Sequence, residues 1–327
     1  MKGVQNIKKI SIAGSTGMVG TGIIRYILDN HPSVRIRASC HKSVPVITHK
    51  RITYIQGDLK SLDDCRRLVN DCDCVILAAA RGGGAGFTTS FPWEHMKENL
   101  MMNMQILEAA LKESVKRIIF IGSATLYPDS ECKIKEFELD LNTDPHEAYF
   151  GYGWAMRFLE KSCLFLHERF KREVIIVRSA NIFGPYAKFD PEVSNFIPAI
   201  IRKAVDKMDP FEVWGSPDVQ RDVLYVDDFA KAIMMLADNT EITFDVFNIG
   251  SDVKTAVRDV VEWALKYANH APSRIRYSEK KPTTIKSRAL DCTKIKRVTG
   301  WRPRYSVEDG IRLTTDWWLK NKDTWEK

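Results

Sequence analysis

Several common features are missing from this chain of 327 residues, and each absence narrows what the protein can be. No apolar run is long enough to span a membrane, so we expect no membrane insertion. The first residues lead directly into a predicted strand, without the apolar region and small-residue cleavage site of a signal peptide. With a charged content of 28%, the sequence predicts a soluble globular protein of the cytoplasm.

Cysteine pairs with the spacing of a zinc site or a redox motif are also missing. The seven cysteines are scattered, and no Cys-x-x-Cys pair occurs. We therefore predict reduced thiols, with neither a disulfide framework nor a bound metal. The net charge is +7, but the basic residues are dispersed and accompany no nucleic-acid-binding motif. We expect no nucleic-acid partner, and an anionic small-molecule substrate explains the surplus as well.

A glycine-rich turn lies between the first predicted strand, residues 8–13, and a helix with apolar residues at positions 23–28. Gly14, Gly17 and Gly20 have the spacing of a dinucleotide fingerprint, in the strand–turn–helix context that this motif requires. Gly14 would allow the tight turn, Gly17 the approach of a pyrophosphate, and Gly20 close packing of the helix. The N–H groups of the helix N-terminus would bind the phosphates.

The second predicted strand, at residues 34–39, ends without an acidic residue. Sites that prefer NAD place Asp or Glu there to hold the ribose hydroxyls. Here the strand contains Arg35 and Arg37 and is followed by Cys40, His41 and Lys42. The basic residues favour a 2′-phosphate, and hence NADP over NAD. The alternative is that His41 and Lys42 are solvated loop residues.

Strands and helices alternate along the first half of the chain. Further strands are predicted at residues 52–56, 74–80 and 116–122, with helices at 94–114 and 149–172. This alternation predicts an α/β fold with a doubly wound parallel Rossmann sheet, whose ligands bind at the carboxyl ends of the strands. A glycine-rich loop at residues 81–86 follows one such end and can lie against a ligand.

The alternation breaks down after residue 180. Segments 186–225 and 270–305 are richer in Pro, Lys and isolated aromatic residues. We assign residues 1–180, with further strands and helices from about 222–250, to a dinucleotide-binding Rossmann domain. Residues 181–327 are assigned mainly to a smaller substrate-binding lobe.

Ser123, Tyr152 and residue 156 combine into a candidate catalytic site. Ser123 follows a strand, and residues 152 and 156 share one face of the next helix. A serine hydroxyl can hold a substrate oxygen while a tyrosine moves a proton, provided that a cation lowers the tyrosine pKa from about 10. Residue 156 is methionine, which has no charge and no donor. Arg157 is one residue further round the helix and is expected to face elsewhere.

Motifs spread over nearly the whole chain carry a family resemblance. They are Ile12-Ala-Gly-Ser-Thr-Gly-Met-Val-Gly20, Ala79-Ala-Arg-Gly-Gly-Gly84, Ile121-Gly-Ser-Ala-Thr-Leu-Tyr-Pro128, Asn181-Ile-Phe-Gly-Pro185, Asn195-Phe-Ile-Pro-Ala199, Val213-Trp-Gly215, Arg221-Asp-Val-Leu-Tyr-Val-Asp-Asp228, Arg288-Ala-Leu-Asp291 and Gly300-Trp-Arg-Pro303. Together they resemble the extended short-chain dehydrogenases/reductases of the NAD-dependent epimerase/dehydratase type, which act on nucleotide sugars. Within that family, the chain is most similar to the GDP-L-fucose synthases.

The resemblance implies roles for three groups of residues. Ser123 and Tyr152 would be catalytic, in a Tyr-x-x-x-Lys pattern whose lysine position is Met156. The cofactor, NADP or NAD, would be contacted by Gly14, Ser15, Thr16, Gly17, Met18, Val19, Gly20, His41, Lys42, Asp58, Leu59, Ala79 and Ala80. The nucleotide sugar would be contacted by Asn181, Asn195, Lys203, Trp214, Arg221 and Arg288. Asp58 could instead cap the following helix. The resemblance also implies a homodimer formed through helices 94–114 and 149–172.

Two departures from that family bear on the reaction. The GDP-L-fucose synthases invert two sugar carbons with a cysteine and a histidine, and the matching positions here are Thr125 and Asn195, which do not titrate near pH 7. The Thr-Asp-Glu triplet of 4,6-dehydratases is absent as well. We therefore predict a 4-oxidoreductase of a GDP-mannose-type hexose or heptose that does not epimerise. The alternatives are a nucleotide-sugar epimerase and a non-catalytic nucleotide-sugar-binding protein.

Met156 itself has two explanations. The chain is an engineered Lys→Met variant made to trap a complex, which we favour, or a natural member with weakened or different chemistry. In both cases the tyrosine lacks its cation. The sequence predicts a protein that binds its ligands and turns them over poorly.

Overall fold

The computed structural model describes residues 7–278 and 287–325. Residues 1–6, 279–286 and 326–327, which the sequence assigns to the two predicted domains, lie outside the described residues. The strands of the described part are β1 Lys9–Ala13, β2 Arg35–Cys40, β3 Ile52–Gln56, β4 Cys74–Leu77, β5 Arg117–Ser123, β6 Lys133–Ile134, β7 Glu173–Ser179, β8 Asn181–Phe183, β9 Phe211–Trp214, β10 Gln220–Arg221, β11 Val223–Tyr225, β12 Phe244–Ile249, β13 Thr255–Ala256, β14 Ile275–Ser278 and β15 Ser287–Leu290.

Helices connect most of these strands. The α-helices are α1 Met18–Asn30, α2 Leu62–Val69, α3 Ala85–Ser90, α4 Pro92–Lys112, α5 Phe150–Phe170, α6 Phe196–Val205, α7 Val226–Ala237, α8 Val257–Tyr267, α9 Thr293–Thr299 and α10 Val307–Asn321. Single turns of 3-10 helix occur at Ala124–Leu126, Glu136–Glu138 and Glu147–Tyr149. Two of these short turns lie next to the candidate site.

The central sheet has seven strands in the order β12-β7-β5-β4-β1-β2-β3, and every neighbouring pair is parallel. Its inner strands are apolar and buried on both faces, as β4 shows with four buried residues. This arrangement confirms the predicted doubly wound α/β fold. The strand β12, which comes from the second half of the chain, joins the sheet beside β7.

Two predicted elements have different bounds in the structure. The strand predicted at 74–80 ends at Leu77, because the chain then turns past the glycine loop, where a Cβ on Gly14 would lie 2.5 Å from the Cα of Ala79. The helix predicted at 94–114 is α4, which begins at Pro92 and ends at Lys112. Proline suits a first helical position, where its missing N–H has no intrahelical partner.

The buried apolar residues form two clusters. One surrounds the central sheet, and the other lies among α6, α8 and α10, where the rings of Phe189 and Trp318 stack at 4.0 Å. The two-stranded β9/β14 sheet contributes to the second cluster, whereas Ile134 and Leu290 of the four-stranded sheet β13-β10-β15-β6 belong to the first. No helix of the described residues is both long and apolar enough to cross a membrane.

Candidate active site

The turn after β1 is built so that only glycine fits at two of its positions. Gly14 has a φ of +84°, and a Cβ there would overlap Ala79. A Cβ on Gly20 would lie 2.3 Å from the carbonyl oxygen of Gly14, so α1 packs directly on the turn. Gly17, the N-cap of α1, is exposed, and its nearest such contact is 3.4 Å away. The start of α1 is therefore accessible.

The other residues of this turn contribute mainly to its shape. The Ser15 hydroxyl donates to the carbonyl oxygen of Ser39 at 2.6 Å, and the Ser39 hydroxyl accepts from the Gly14 N–H at 2.8 Å. Ser15 is therefore turned toward β2, while Thr16 is half-buried. Met18 packs on the second apolar cluster and Val19 on the first.

This turn fits the pyrophosphate of a dinucleotide. No side chain caps α1 at Gly17, within the part of the chain that the structure describes. The first N–H groups of a helix have no intrahelical acceptor, and they carry the positive end of the helix dipole. A pyrophosphate lying on Gly17 would be bound by these groups.

The basic residues around β2 divide into two groups. His41 and Lys42 are exposed beyond its carboxyl end, where a ribose would lie. Arg35 stands at the opposite end, and Arg37 donates from Nε to the carbonyl of Leu68 at 3.0 Å. The strand's two arginines therefore do not add to a 2′-phosphate site.

Residues after β3 and β4 also approach this edge of the sheet. Asp58 accepts from the Lys60 N–H at 2.9 Å, and the N-cap of α2 is Ser61. The alternative that Asp58 caps the helix is therefore wrong. Leu59 packs on the main apolar cluster. Ala79 is half-buried and Ala80 exposed, both just beyond β4.

Ser123 ends β5, and its hydroxyl accepts two hydrogen bonds from Thr125. One comes from the Thr125 hydroxyl at 3.0 Å and the other from its N–H at 3.2 Å. The Ser123 hydroxyl hydrogen can therefore be donated to a ligand oxygen. Thr125 supports the serine and carries no titratable group.

Tyr152 lies in the first turn of α5 and stacks on His95 of α4, with ring centroids 4.1 Å apart. Burial raises the pKa of Tyr152 to about 12 and lowers the pKa of His95 to about 4. Met156 is 2% exposed in the main apolar cluster. Arg157 donates to the carbonyl oxygen of Leu126, so it faces elsewhere, as predicted. A phenol with this pKa is a poor proton acceptor at neutral pH.

A cavity that is open to solvent and encloses about 420 Å³ lies beside Ser123. Residues from several strand ends and from the turn before α5 line it, among them Ser123, Thr125, Tyr149, Asn181, Arg221 and Arg288. Strand pairing explains this convergence, because Ser123 is in register with Ser179 and Arg221 with Arg288. Tyr152 is not among the described residues that line this cavity.

Two guanidinium groups line the cavity, those of Arg288 and Arg221. Arg288 is 7% exposed, and burial lowers its pKa to about 10. Among the described residues, its Nε and Nη2 have no hydrogen-bond partner. Burial also lowers the pKa of Arg221. Burying the Arg288 guanidinium with two of its nitrogens unpartnered is costly, so this end of the cavity favours an anionic ligand.

Three predicted substrate residues lie outside this cavity lining. Lys203 donates to the carbonyl of Glu212 at 2.8 Å and lies 5.9 Å from the ring of Trp214. Trp214 is exposed, with Gly86 of the glycine-rich segment nearby. Asn195 is the exposed N-cap of α6, next to Gly84. The structure thus brings only Asn181, Arg221 and Arg288 together with Ser123.

Sequence reasoning missed Tyr149 and Asp222, both of which line the cavity. Asp222 is buried and accepts from the Ser251 N–H and hydroxyl and from the Leu290 N–H. Burial raises its pKa to about 6. Asp222 stands inside the motif that begins at Arg221 and could have been found there. No group of three potential metal ligands occurs among the described residues.

Comparisons with known proteins agree with this architecture. GDP-L-fucose synthase from Escherichia coli K12 is 27% identical over 340 residues, covering 97% of this chain and 98% of that protein. GDP-mannose 3,5-epimerase 1 from Oryza sativa subsp. indica is 29% identical over 332 residues, covering 98% and 83%. The structure of UDP-glucose 4-epimerase from Bifidobacterium longum, in complex with NAD+ and UDP, shares the fold with a TM-score of 0.83 at 23% identity, covering 97% and 100%.

The comparison with protein families identifies the chain more directly. The sequence profile of the NAD dependent epimerase/dehydratase family matches residues 10–250, which include the glycine turn, Ser123 and α5. The match spans well over half of the chain. The protein therefore belongs to the NAD dependent epimerase/dehydratase family, and its cofactor is a nicotinamide dinucleotide.

Proposed function

We propose that this protein binds a nucleotide sugar of the GDP-mannose type, with a hexose or heptose, and oxidises or reduces its C4 without epimerisation at C3 and C5. The observation that carries the proposal is the buried Arg288, whose Nε and Nη2 lack partners among the described residues. A diphosphate supplies the acceptor oxygens that these donors need, and Ser123 lies in the same cavity to hold a sugar oxygen.

The residues of the site would have separate roles in this reaction. The nicotinamide, when bound, supplies the hydride acceptor or donor. The Ser123 hydroxyl would donate to the sugar oxygen and hold it in place. Tyr152 would move a proton at its Oη, but its raised pKa makes this step slow. Met156 cannot supply the cation that would lower that pKa.

Thr125 and Asn195 support the absence of epimerisation. The Thr125 hydroxyl is bonded to Ser123, and the Asn195 amide has no titratable proton. Candidate GDP-sugars incubated with cofactor in D2O should change the nicotinamide absorbance and show no deuterium at C3 or C5. Clear uptake at either carbon would refute this part of the proposal and favour a 3,5-epimerase.

A preference for NADP over NAD is supported by His41 and Lys42, which are exposed beyond β2. Binding of NADPH and NADH, followed by tyrosine and tryptophan fluorescence, would test the preference. Lys42→Glu should weaken the binding of NADPH about tenfold and leave the binding of NADH nearly unchanged. Equal affinity of the unchanged protein for both would contradict it.

A second function, nucleotide-sugar binding without turnover, is favoured by one observation. Met156 is packed in the apolar core, and Tyr152 lies against His95 rather than in the lining of the Ser123 cavity. Single-turnover measurements with saturating cofactor and sugar distinguish the two functions. A slow but complete absorbance change indicates the oxidoreductase, and tight binding with no change indicates the binding protein.

We also propose a homodimer formed through α4 and α5, which pack against each other. Their outer surface carries exposed Met101, Met104, Phe158 and Phe165. Exposed apolar area of this extent is typical of interfaces. Light scattering should give the mass of two chains, and Phe158→Glu should give one. The exposed Val44, away from these helices, serves as control through Val44→Glu.

A further inference from the structure

Tyr149 lines the cavity and lies beside Arg288. It ends the 3-10 turn before α5 and is half-buried. Its ring lines the same cavity as Ser123 and Thr125, and its centroid is 5.6 Å from the Cζ of Arg288. The tyrosine therefore shares a cavity with the hydroxyls of Ser123 and Thr125 and lies beside the guanidinium of Arg288.

Ser123 and Arg288 lie on different strands that line the same cavity, so a ligand that contacts both must extend along the cavity that Tyr149 also lines. Ser123 pairs with Ser179 at the end of β7, and the Asn181 N–H then donates to the carbonyl of Asp222. Arg221 follows on β10, in register with Arg288. The portion of a nucleotide sugar that lies between the oxygen on Ser123 and the diphosphate on Arg288 is the sugar ring.

The contact with Arg288 fixes how Tyr149 meets that ring. A guanidinium over an aromatic face is attracted by the electrons of the ring and restricts its orientation. A tyrosine ring offers a flat apolar surface to the C–H groups of a sugar and a hydroxyl to its oxygens. Among the described residues that line the cavity, Tyr149 is the only aromatic one, and the others are mostly small or polar.

We propose that Tyr149 is a specificity-determining residue, which packs on the sugar ring of the substrate between the oxygen at Ser123 and the diphosphate at Arg288. This inference rests on the proposed function, because it assumes that the ligand is a nucleotide sugar. It predicts that Tyr149 distinguishes a nucleotide sugar from the nucleoside diphosphate without its sugar.

Titration calorimetry would test this with GDP, GDP-mannose, UDP and UDP-glucose. Tyr149→Ala should weaken binding of the better-bound nucleotide sugar about tenfold more than binding of its parent nucleoside diphosphate, because one well-packed aromatic contact is lost. Tyr149→Phe keeps the ring and should stay within about threefold for both ligands. Arg288→Met is the matched control, since it should weaken the diphosphate and the nucleotide sugar alike.

The outcomes separate this inference from the proposed function. Equal changes for both ligands in Tyr149→Ala, or none, would overturn the inference and leave the function standing. Failure of the unchanged protein to bind any of the nucleotide sugars would overturn both. If Tyr149→Ala does not keep the thermal midpoint of the unchanged protein, Tyr149→Leu provides the same comparison with less loss of volume.

Discussion

Two buried arginines show how differently this protein treats the same side chain. Arg178 is 5% exposed and Arg288 7% exposed. Arg178 donates to both oxygens of Glu160, at 2.8 and 2.7 Å, and to the Tyr127 hydroxyl at 2.7 Å. Burial disfavours its charge, but the carboxylate of Glu160 raises its pKa above the ordinary value.

Arg288 has the opposite electrostatic surroundings. Two of its nitrogens lack partners among the described residues, and burial lowers its pKa. Arg178 lies near the end of β7 in the central sheet, whereas Arg288 lies in β15 of the four-stranded sheet and lines the cavity. A buried cation that is paired with a carboxylate has its charge balanced within the fold. A buried cation without such a partner is suited to binding an anionic ligand. Tyr152 is a similar case, as a half-buried phenol with Met156 at the position of the family's cation.

The largest effect is expected from supplying the missing charge. Met156→Lys should raise turnover by roughly 10²–10⁴-fold, because the cation stabilises the phenolate of Tyr152. In the direction of sugar oxidation the rate of the unchanged protein should keep rising toward pH 12, and in the variant it should level off at lower pH. Met156→Leu controls for packing, and an unchanged rate in Met156→Lys would mean that this lysine position has no role here.

Removing the counter-charge of Arg178 should come next in size. Glu160→Ala leaves a buried guanidinium unpaired and should lower the free energy of unfolding by about 3–5 kcal/mol. Urea titration measures the loss. The exposed Glu168 on the same helix is the matched control, and Glu168→Ala should change stability by less than about 0.5 kcal/mol. Similar losses of stability in Glu160→Ala and Glu168→Ala would show that Glu160 does not stabilise the fold by pairing with Arg178.

Removing Arg288 should produce the reverse pattern. Arg288→Met should weaken nucleotide-sugar binding by about 2–3 kcal/mol, or roughly 30–150-fold, because a charge-assisted contact to phosphate is lost. The free energy of unfolding should stay the same or rise, since an unpaired buried charge is removed. Arg178→Met should instead lose stability. If Arg288→Met destabilised the protein as strongly as Arg178→Met, Arg288 would have a structural role rather than a role in binding.

The smallest effect is expected from His95, which packs on Tyr152. Its folded pKa, about 4, lies below the ordinary value of 6.5, so the folded state binds fewer protons than the unfolded state. The contribution of the neutral His95 side chain to the free energy of unfolding is complete above pH 6.5 and is lost as the pH falls toward 4. About 1 kcal/mol of this free energy is lost between pH 7 and 5.5. His95→Phe keeps the stacked ring, and thermal unfolding should show that this part of the pH dependence is gone.

The sequence predicted the fold well because the relevant pattern is local. Buried parallel strands are continuous apolar runs, and the bounds predicted for residues 8–13 and 52–56 agree with β1 and β3 within one residue. The glycine turn combines a strand, three glycines and a helix in about twenty residues. The family resemblance was confirmed by the match over residues 10–250.

The candidate site was predicted less completely because its contacts come from distant strands. Arg37 was counted as a basic group near the cofactor, but it caps the end of α2, which depends on the packing of two separate elements. Tyr149 has no motif of its own, and only the folded chain places it beside Arg288. The roles of Ser123 and Tyr152 in the reaction stay predictions.

The position of β12 at the edge of the sheet also constrains how the chain can fold during synthesis. The fully buried Arg117 of β5 pairs with Glu173 and donates to the carbonyl oxygens of Leu236 and Ile242. A nascent chain that has not reached residue 249 lacks β12 and leaves the edge of β7 unpaired. Open edges of this kind invite association between chains. The seven-stranded sheet therefore cannot be completed until about three quarters of the chain has been synthesised, and a shorter chain exposes β7 as an edge strand.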